Sequence, residues 1–228
     1  MLRVVGAALR VLGIGMVVVG AMAAPAAFAS PITFTFSGVV GSVDSELGGT
    51  FSALSTLSGK YTFESSTVAR LGSNSNFAVF DALSGLQFSI GGYGGSTSGA
   101  PEIQVDNDPG LPDHDRYGVA SRASDGLVGP DVNGYSLDSF LFRLDDITDS
   151  VFSDALVLPT ALNFSDFSGG SFFLFFIDPT DTSPDRGEKL VSGRMTGISS
   201  VPEPASLAIF GAGLLGLGAL RRRRKAKA

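Results

Sequence analysis

The chain has no cysteine, no tryptophan and a single histidine among its 228 residues. The missing cysteines exclude disulfides, thiolate metal ligands and cysteine nucleophiles. One histidine, His114, supplies too few nitrogen ligands for a zinc site and gives little support to a serine–histidine–aspartate triad. The sequence also lacks a Gly-x-Ser-x-Gly elbow and a Gly-Lys-Ser/Thr phosphate loop. These absences argue against several common enzyme classes.

Positive charge is scarce in the body of the chain. Between Ser30 and Ser200 there are 21 acidic and 8 basic side chains, a net charge of about −13. The value for the whole chain is only −6, because the other basic residues lie near the two ends. A strongly anionic body argues against nucleic acid and anionic lipid as partners, and it suits divalent cations. We therefore expect no nucleic-acid partner.

The first 29 residues have the pattern of a signal peptide. Arg3 and Arg10 give a positively charged start, and residues 11–24 are apolar and uncharged. The small residues Ala27 and Ala29 predict cleavage before Ser30. There is no twin arginine, which favours the general secretory route. The alternative is an uncleaved membrane anchor.

The last 28 residues combine three different segments. Residues 201–206 begin with Val201, Pro202, Glu203 and Pro204, and residues 207–220 are uncharged. As a helix, fourteen residues cover about 21 Å, which is short against a hydrocarbon core of about 30 Å. We predict one hydrophobic helix over 207–220, because the proline pair prevents an earlier start. The basic stop after it, which resists translocation, consists of Arg221, Arg222, Arg223, Arg224 and Lys225.

This three-part ending resembles the PEP-CTERM sorting signal of Gram-negative bacteria. The resemblance implies recognition of Pro202-Glu203-Pro204 by an exosortase, a membrane-embedded cysteine transpeptidase or protease. It also implies a precursor that is transiently anchored in the inner membrane, then export to the cell surface or extracellular matrix, with an association with extracellular polysaccharide and biofilm. The signal occurs on proteins with many different bodies, so it predicts sorting rather than activity. The strand with Ser37-Gly38 and residues 57–63 and 191–193 also resemble, loosely, PEP-CTERM proteins of unassigned function.

The body between residues 30 and 200 has the alternation of short β-strands. Apolar and polar residues alternate or run together in seven segments, with Gly-, Pro- and Asn-rich turns between them. These segments are 32–36, 60–63, 86–90, 103–105, 140–144, 171–177 and 190–198. We predict one all-β domain, an antiparallel β-sandwich of seven to ten strands, jelly-roll-like or otherwise. The echo between Ser37-Gly38 and Ser192-Gly193 would be explained by neighbouring first and last strands, or it is chance in a chain rich in Gly and Ser.

The segment 106–115 is the sharpest cluster of potential metal ligands. Asp106, Asp108, Asp113 and Asp115 offer carboxylate oxygens in a loop that contains prolines, and calcium takes six to eight oxygens. The spacing is not that of an EF-hand, since no glutamate closes the loop. The hypothesis is a calcium site, and the alternative is a solvated acidic loop between two strands.

A second acidic group lies further along the chain, at Asp138, Asp145, Asp146 and Asp149. It is interpreted as a strand-end turn, as a second calcium site, or as the paired carboxylates of a glycoside hydrolase, although the sequence fixes no carboxylate separation. Three tyrosines near turns are candidates for stacking on sugars: Tyr93, Tyr117 and Tyr135. The Gly-rich segment 91–95 is expected to be a flexible turn.

These observations together predict an exported surface or matrix protein that is not an enzyme and needs no cofactor. Its β-domain would serve a structural or adhesive role linked to exopolysaccharide. The first alternative is a polysaccharide-binding module assisted by calcium, and the second is a secreted glycoside hydrolase.

Overall fold

The computed structural model describes residues 31–99, 101–108, 114–184 and 186–201. Within these ranges there are eleven β-strands and three 3-10 turns (Ser45–Leu47, Ala123–Asp125 and Phe164–Asp166), and there is no α-helix. The predicted all-β class is confirmed. The strands are β1 (Pro31–Val43), β2 (Thr56–Glu64), β3 (Phe77–Phe80), β4 (Leu83–Ile90), β5 (Tyr93–Thr97), β6 (Glu102–Asp108), β7 (His114–Arg122), β8 (Leu127–Val128), β9 (Ser136–Asp146), β10 (Gly169–Ile177) and β11 (Lys189–Val201).

All eleven strands belong to one antiparallel sheet that folds over on itself. Their order is β3-β6-β7-β9-β10-β11-β1-β2-β4-β5-β8. Strands β7 and β2 are five positions apart in that order, which is about 24 Å across a flat sheet. Yet the buried hydroxyl groups of Tyr61 on β2 and Tyr117 on β7 are hydrogen-bonded at 2.9 Å. The two halves of the sheet therefore pack face to face, as the two layers of a sandwich do.

Aromatic rings fill the space between the two layers. Phe36 on β1 lies 4.9 Å from Phe142 on β9, measured between ring centroids, and Phe88 on β4 lies 4.3 Å from Phe140. All four rings are buried. Phe36 and Phe88 alternate along their strands with polar residues that point outward, so the period-2 pattern of the sequence contributes directly to the core.

The pairing of β1 with β11 shifts register between Ser37 and Gly38 and between Val40 and Ser42, and β-bulges of this kind bend a sheet. Glycines lie at close contacts in the same region. A Cβ at Gly193 would lie 2.3 Å from the carbonyl oxygen of Val39 and 2.5 Å from the ring of Phe172. A Cβ at Gly38 would lie 2.8 Å from the carbonyl oxygen of Arg194. Only residues without side chains allow these backbones to approach so closely.

The first and last strands are neighbours, as the echo between the two Ser-Gly pairs suggested. Strand β1 pairs with β11 from Thr33 opposite Val201 to Val43 opposite Val191. Gly38 faces Met195 and Val40 faces Gly193 in that register, so both glycines lie on the same pair of strands.

Sequence alternation did not predict four of the strands, namely β3, β5, β7 and β8. The described residues form eleven strands, one more than the upper limit of the predicted seven to ten. The expected flexible turn at 91–95 is wrong in part. Gly91 and Gly92 do form the two-residue turn, with φ of 55° and 100°, but Tyr93 begins β5. Two positive φ values suit the tight turn between antiparallel strands, so the glycines promote a hairpin here.

Candidate functional site

Both ends of the described β-domain lie at one end of the sheet. Thr33, near the start of β1, faces Val201, the last residue of β11. Pro31 faces Glu64 at the end of β2. Val201 is 44 % exposed, so β11 ends at an accessible position.

Only one of the predicted sorting residues is among the described residues. Val201 is the last residue of β11 and is paired with Thr33 of β1. The others lie outside the described residues, as does the predicted helix 207–220: they are Ala27, Ala29, Ser30, Pro202, Glu203, Pro204, Arg221, Arg222, Arg223, Arg224 and Lys225. Among the described residues no helix is both long and apolar enough to span a bilayer.

The outer surface of β11, β1, β2 and β4 carries rows of Ser and Thr hydroxyl groups. Three cross-strand pairs are hydrogen-bonded: Thr33 with Thr62 at 2.8 Å, Thr35 with Ser199 at 3.0 Å, and Ser37 with Thr196 at 3.0 Å. We call this surface the hydroxyl face and define it by Thr33, Thr35, Ser37, Ser58, Thr62, Ser89, Thr196 and Ser199.

A shallow depression of ≈ 370 Å³ lies within the hydroxyl face. Its lining includes Thr35, Ser58, Lys60, Gln87 and Ser89. Thr35 faces Lys60 in the β1–β2 register, and Lys60 faces Gln87 in the β2–β4 register. Hydroxyl, amide and ammonium groups thus stand side by side on three adjacent strands.

A second depression, of ≈ 530 Å³, lies beside the hydroxyl face over β1, β10 and β11. Phe173 forms part of its lining together with Ser171, Ser192 and Arg194. Phe173 is stacked on Phe175, with ring centroids 6.3 Å apart. This is a partly exposed aromatic pair on the outer surface of the sheet.

The tyrosines proposed for sugar stacking are not at this surface. Tyr93 is 5 % exposed and Tyr117 is fully buried, so both belong to the core and that prediction is wrong for them. Tyr135 is partly buried, with the Lys189 ammonium group 5.7 Å from its ring centroid.

The first acidic group is divided between the two faces of the sheet. Asp106 faces Arg116, whose guanidinium lies 3.6 Å from its carboxylate, and both point outward. Asp115 faces Asn107 at the next position of the β6–β7 register and is fully buried on the inner side. Opposite faces keep the Asp106 and Asp115 carboxylates apart. Asp108 ends β6, and Asp113 lies outside the described residues, so the four-residue calcium hypothesis stays a prediction.

The second acidic group is divided in the same way. Asp145 points outward, and Arg116 and Arg143 lie 2.9 Å and 3.3 Å from its carboxylate. Asp146 is buried on the inner side and faces Asp115 across the β7–β9 pair. Adjacent aspartates on β9 therefore have opposite surroundings, because successive strand residues alternate between faces.

Asp146 is held ionised by the loop that follows β9. Burial alone would raise the pKa of Asp146, but hydrogen bonds from Thr148 and Ser150 outweigh burial and lower that pKa to about 2. The main-chain N–H and the hydroxyl of both residues donate to the carboxylate, and the Ser168 hydroxyl also donates, at 3.3 Å.

Asp115 has a different electrostatic environment. One of its oxygens, Oδ2, accepts the Phe152 N–H at 2.6 Å, whereas Oδ1 is buried and has no partner among the described residues. Burial raises the pKa of Asp115, and contact with the Asp149 carboxyl raises it further, against the opposing effect of the Phe152 N–H. Asp149 Oδ1 is likewise buried without a partner there.

The comparison with protein families identifies the tail. The model of the PEP-CTERM protein-sorting motif matches residues 200–224. The chain carries a PEP-CTERM sorting signal. No curated protein and no solved structure matches it.

The PEP-CTERM signal implies exosortase processing, export and a membrane-anchored precursor. Its match begins at Ser200, which lies inside β11 opposite Phe34. The sorting motif therefore starts within the last strand, and no spacer separates it from the sheet. In this chain β11, the last strand of the sheet in sequence order, continues directly into the segment that is processed.

Sequence reasoning missed the contact between Asp115 and Asp149, which come from different acidic groups. The pairing of β7 with β9 brings them together, and β7 was not predicted. Sequence reasoning also missed the hydroxyl face. The signal was present in the Thr and Ser residues that alternate with Phe34 and Phe36, but alternation alone does not show which strands lie side by side.

Proposed function

We propose that this PEP-CTERM protein is a non-enzymatic component of the extracellular matrix that adheres to exopolysaccharide after exosortase processing. Its β-domain would bind the polymer through the hydroxyl face and the adjacent Phe173 depression. Final localisation at the cell surface is part of the proposal.

The observation that carries the proposal is the hydroxyl face. Ser and Thr hydroxyls both donate and accept hydrogen bonds, and so do the hydroxyls of sugars. Hydroxyl groups on adjacent strands are spaced about 4.8 Å apart, so an extended polymer that crosses the strands meets several equivalent groups. Exchanging water for sugar hydroxyls at such a face desolvates few charges, which keeps the cost of binding low.

The surroundings of the acidic residues also support a role without catalysis. A glycoside hydrolase places two carboxyl groups on either side of a substrate bond. Here Asp115 and Asp146 are buried, and the outward-facing Asp145 is paired with two arginines. A polymer chain at the surface does not reach the buried pair.

A second candidate function is polysaccharide binding that depends on calcium. The unpartnered buried oxygens of Asp115 and Asp149 favour it. Binding to polysaccharide that is lost on adding a chelator would separate this candidate from the first.

The test is co-sedimentation of the full chain, purified in detergent, with exopolysaccharide from the producing cells. Ser58 and Ser89 face each other across β2 and β4, and both are exposed. We expect Ser58→Glu/Ser89→Glu to weaken retention about tenfold or more, because bulk and charge replace several hydrogen-bonding positions.

The matched control places the same charges elsewhere. Ser66 and Thr182 are exposed, lie in loops between strands and are not part of the hydroxyl face. Retention that falls equally in Ser66→Glu/Thr182→Glu would contradict a specific role of the hydroxyl face. A wild-type chain that stays in the supernatant would contradict the proposal as a whole.

A further inference from the structure

Two aspartates face each other where the start of β7 lies beside the end of β9, and a third follows in the next loop. We call this place the acidic corner and define it by Asp115, Asp146 and Asp149. Asp115 and Asp146 are 0 % and 2 % exposed, and they face each other in the β7–β9 register. Asp149 follows in the loop after β9 and contacts the Asp115 carboxyl.

The carboxylate of Asp146 is already occupied by hydrogen bonds from the protein, and these bonds position the loop. Both of its oxygens accept hydrogen bonds from Thr148 and Ser150, at 2.7–3.1 Å. These bonds hold the chain on both sides of Asp149, which has a left-handed backbone with φ of 53°. The loop is thereby fixed with Asp149 against Asp115.

Asp115 and Asp149 each have a buried oxygen without a partner among the described residues. The other oxygen of Asp115 accepts the N–H of Phe152 at 2.6 Å, and the N–H of Val151 also favours its ionised form. Two carboxylates in contact, one of them fully buried, repel each other strongly unless a proton or a cation lies between them.

We propose that Asp115 and Asp149 bind a divalent cation of the calcium type at the acidic corner. Main-chain N–H donors stabilise the ionised carboxylate, which is the form that binds a metal, and carboxylate oxygens are the ligands that calcium prefers. Among the described residues no three acidic or histidine side chains converge on a metal position. Calcium does not need three, because main-chain carbonyls and waters complete its shell of six to eight oxygens.

This site differs from the four-residue site expected from the sequence. It uses Asp115 from the first acidic group and Asp149 from the second, and it excludes Asp106, which is on the opposite face of the sheet. It is independent of what the hydroxyl face binds, so either proposal can fail without the other.

The test is thermal unfolding of the full chain in detergent at about pH 7.5, with calcium, magnesium or chelator. For a Kd of about 1 mM, we expect about 10 mM calcium to raise the Tm by about 3–6 °C. Asp149→Asn should abolish this shift and should raise the Tm in chelator, since it removes the repulsion. Asn also tolerates the left-handed backbone. Asp149→Gly, which suits the same φ, is the second variant if the first does not fold.

Asp138→Asn is the matched control, because it removes one negative charge at the other end of β9. It should keep the calcium shift. The proposal is overturned if the wild-type Tm does not respond to calcium, or if Asp149→Asn and Asp149→Gly respond as the wild type does. It is also overturned if acidification to about pH 5 raises the Tm while calcium has no effect, because the two carboxylates then share a proton.

Discussion

Asp146 accepts hydrogen bonds from five donors on Thr148, Ser150 and Ser168 and is still a buried charge. Its neighbour Asp145 has the same side chain but sits among arginines on the outer side of the sheet. The difference arises from strand alternation alone. At the scale of the residue, the fold thus decides whether an aspartate contributes to a surface ion network or organises a loop.

This environment predicts a pH dependence of stability. The pKa of Asp146 is about 2 in the folded chain, against an ordinary value of 3.8. A lowered folded pKa stabilises the fold above the unfolded pKa, and that contribution is lost as the pH falls from about 4 to about 2. We expect Asp146→Asn to lower the Tm at neutral pH and to flatten its fall between pH 4 and 2.

Thermal unfolding followed by circular dichroism across this pH range measures the effect. Asp138→Asn, with the same change of charge on the same strand, should keep the slope of the wild type. A slope in Asp146→Asn equal to that of the wild type would show that other carboxylates control the acid transition.

The strand pair β1–β11 combines two roles at the scale of the element. It contains the register shifts that bend the sheet, and β11 ends in the sorting motif. The close approach at Gly193 belongs to the first role. Because the Val39 carbonyl is main chain and the Phe172 ring is buried, neither can move aside easily.

Gly193→Ala is therefore expected to destabilise the domain by roughly 1–3 kcal/mol, the usual cost of overpacking a tight core. Denaturant unfolding of the full chain in detergent measures it. Gly169→Ala is the control, since a Cβ there meets no atom within 4 Å. If both variants lose the same stability, the cost comes from glycine replacement in a strand and not from the bend.

At the scale of the whole molecule, the sorting signal and the sheet are joined without a spacer. Ser200 and Val201 belong both to the matched motif and to β11. The segment that the PEP-CTERM signal presents for processing therefore follows the folded domain directly in the sequence. The last strand, β11, pairs with β1, and β1 starts at the end of the sheet where β11 finishes.

The signal predicts what happens when the motif is altered. Replacing Pro202, Glu203 and Pro204 by alanine should leave the precursor uncleaved in the inner-membrane fraction, because the processing enzyme no longer recognises it. Fractionation and immunoblotting of cells that produce the full chain measure this. The exposed Glu188, changed to Ala, is the control and should leave processing unchanged. Normal processing of the triple variant would contradict the assigned role of the motif.

Local sequence was sufficient for the strands whose apolar residues alternate cleanly, such as those containing Phe34 and Phe36 or Phe88 and Ile90. It failed for β5 and β7, which contain glycines or charged residues and are held by their neighbours in the sheet. The tail needed no tertiary information, because its motif, hydrophobic run and basic stop are contiguous in the chain.

The sequence by itself determined that this chain is an all-β PEP-CTERM protein with an anionic body. Period-2 patterning, a contiguous signal and net charge are local or additive properties, so they need no three-dimensional structure. Only the tertiary structure decided that one sheet forms both layers, that hydroxyl groups share one face, and that Asp115 meets Asp149. Those facts depend on strand order and register, which arise from contacts between residues far apart in the chain.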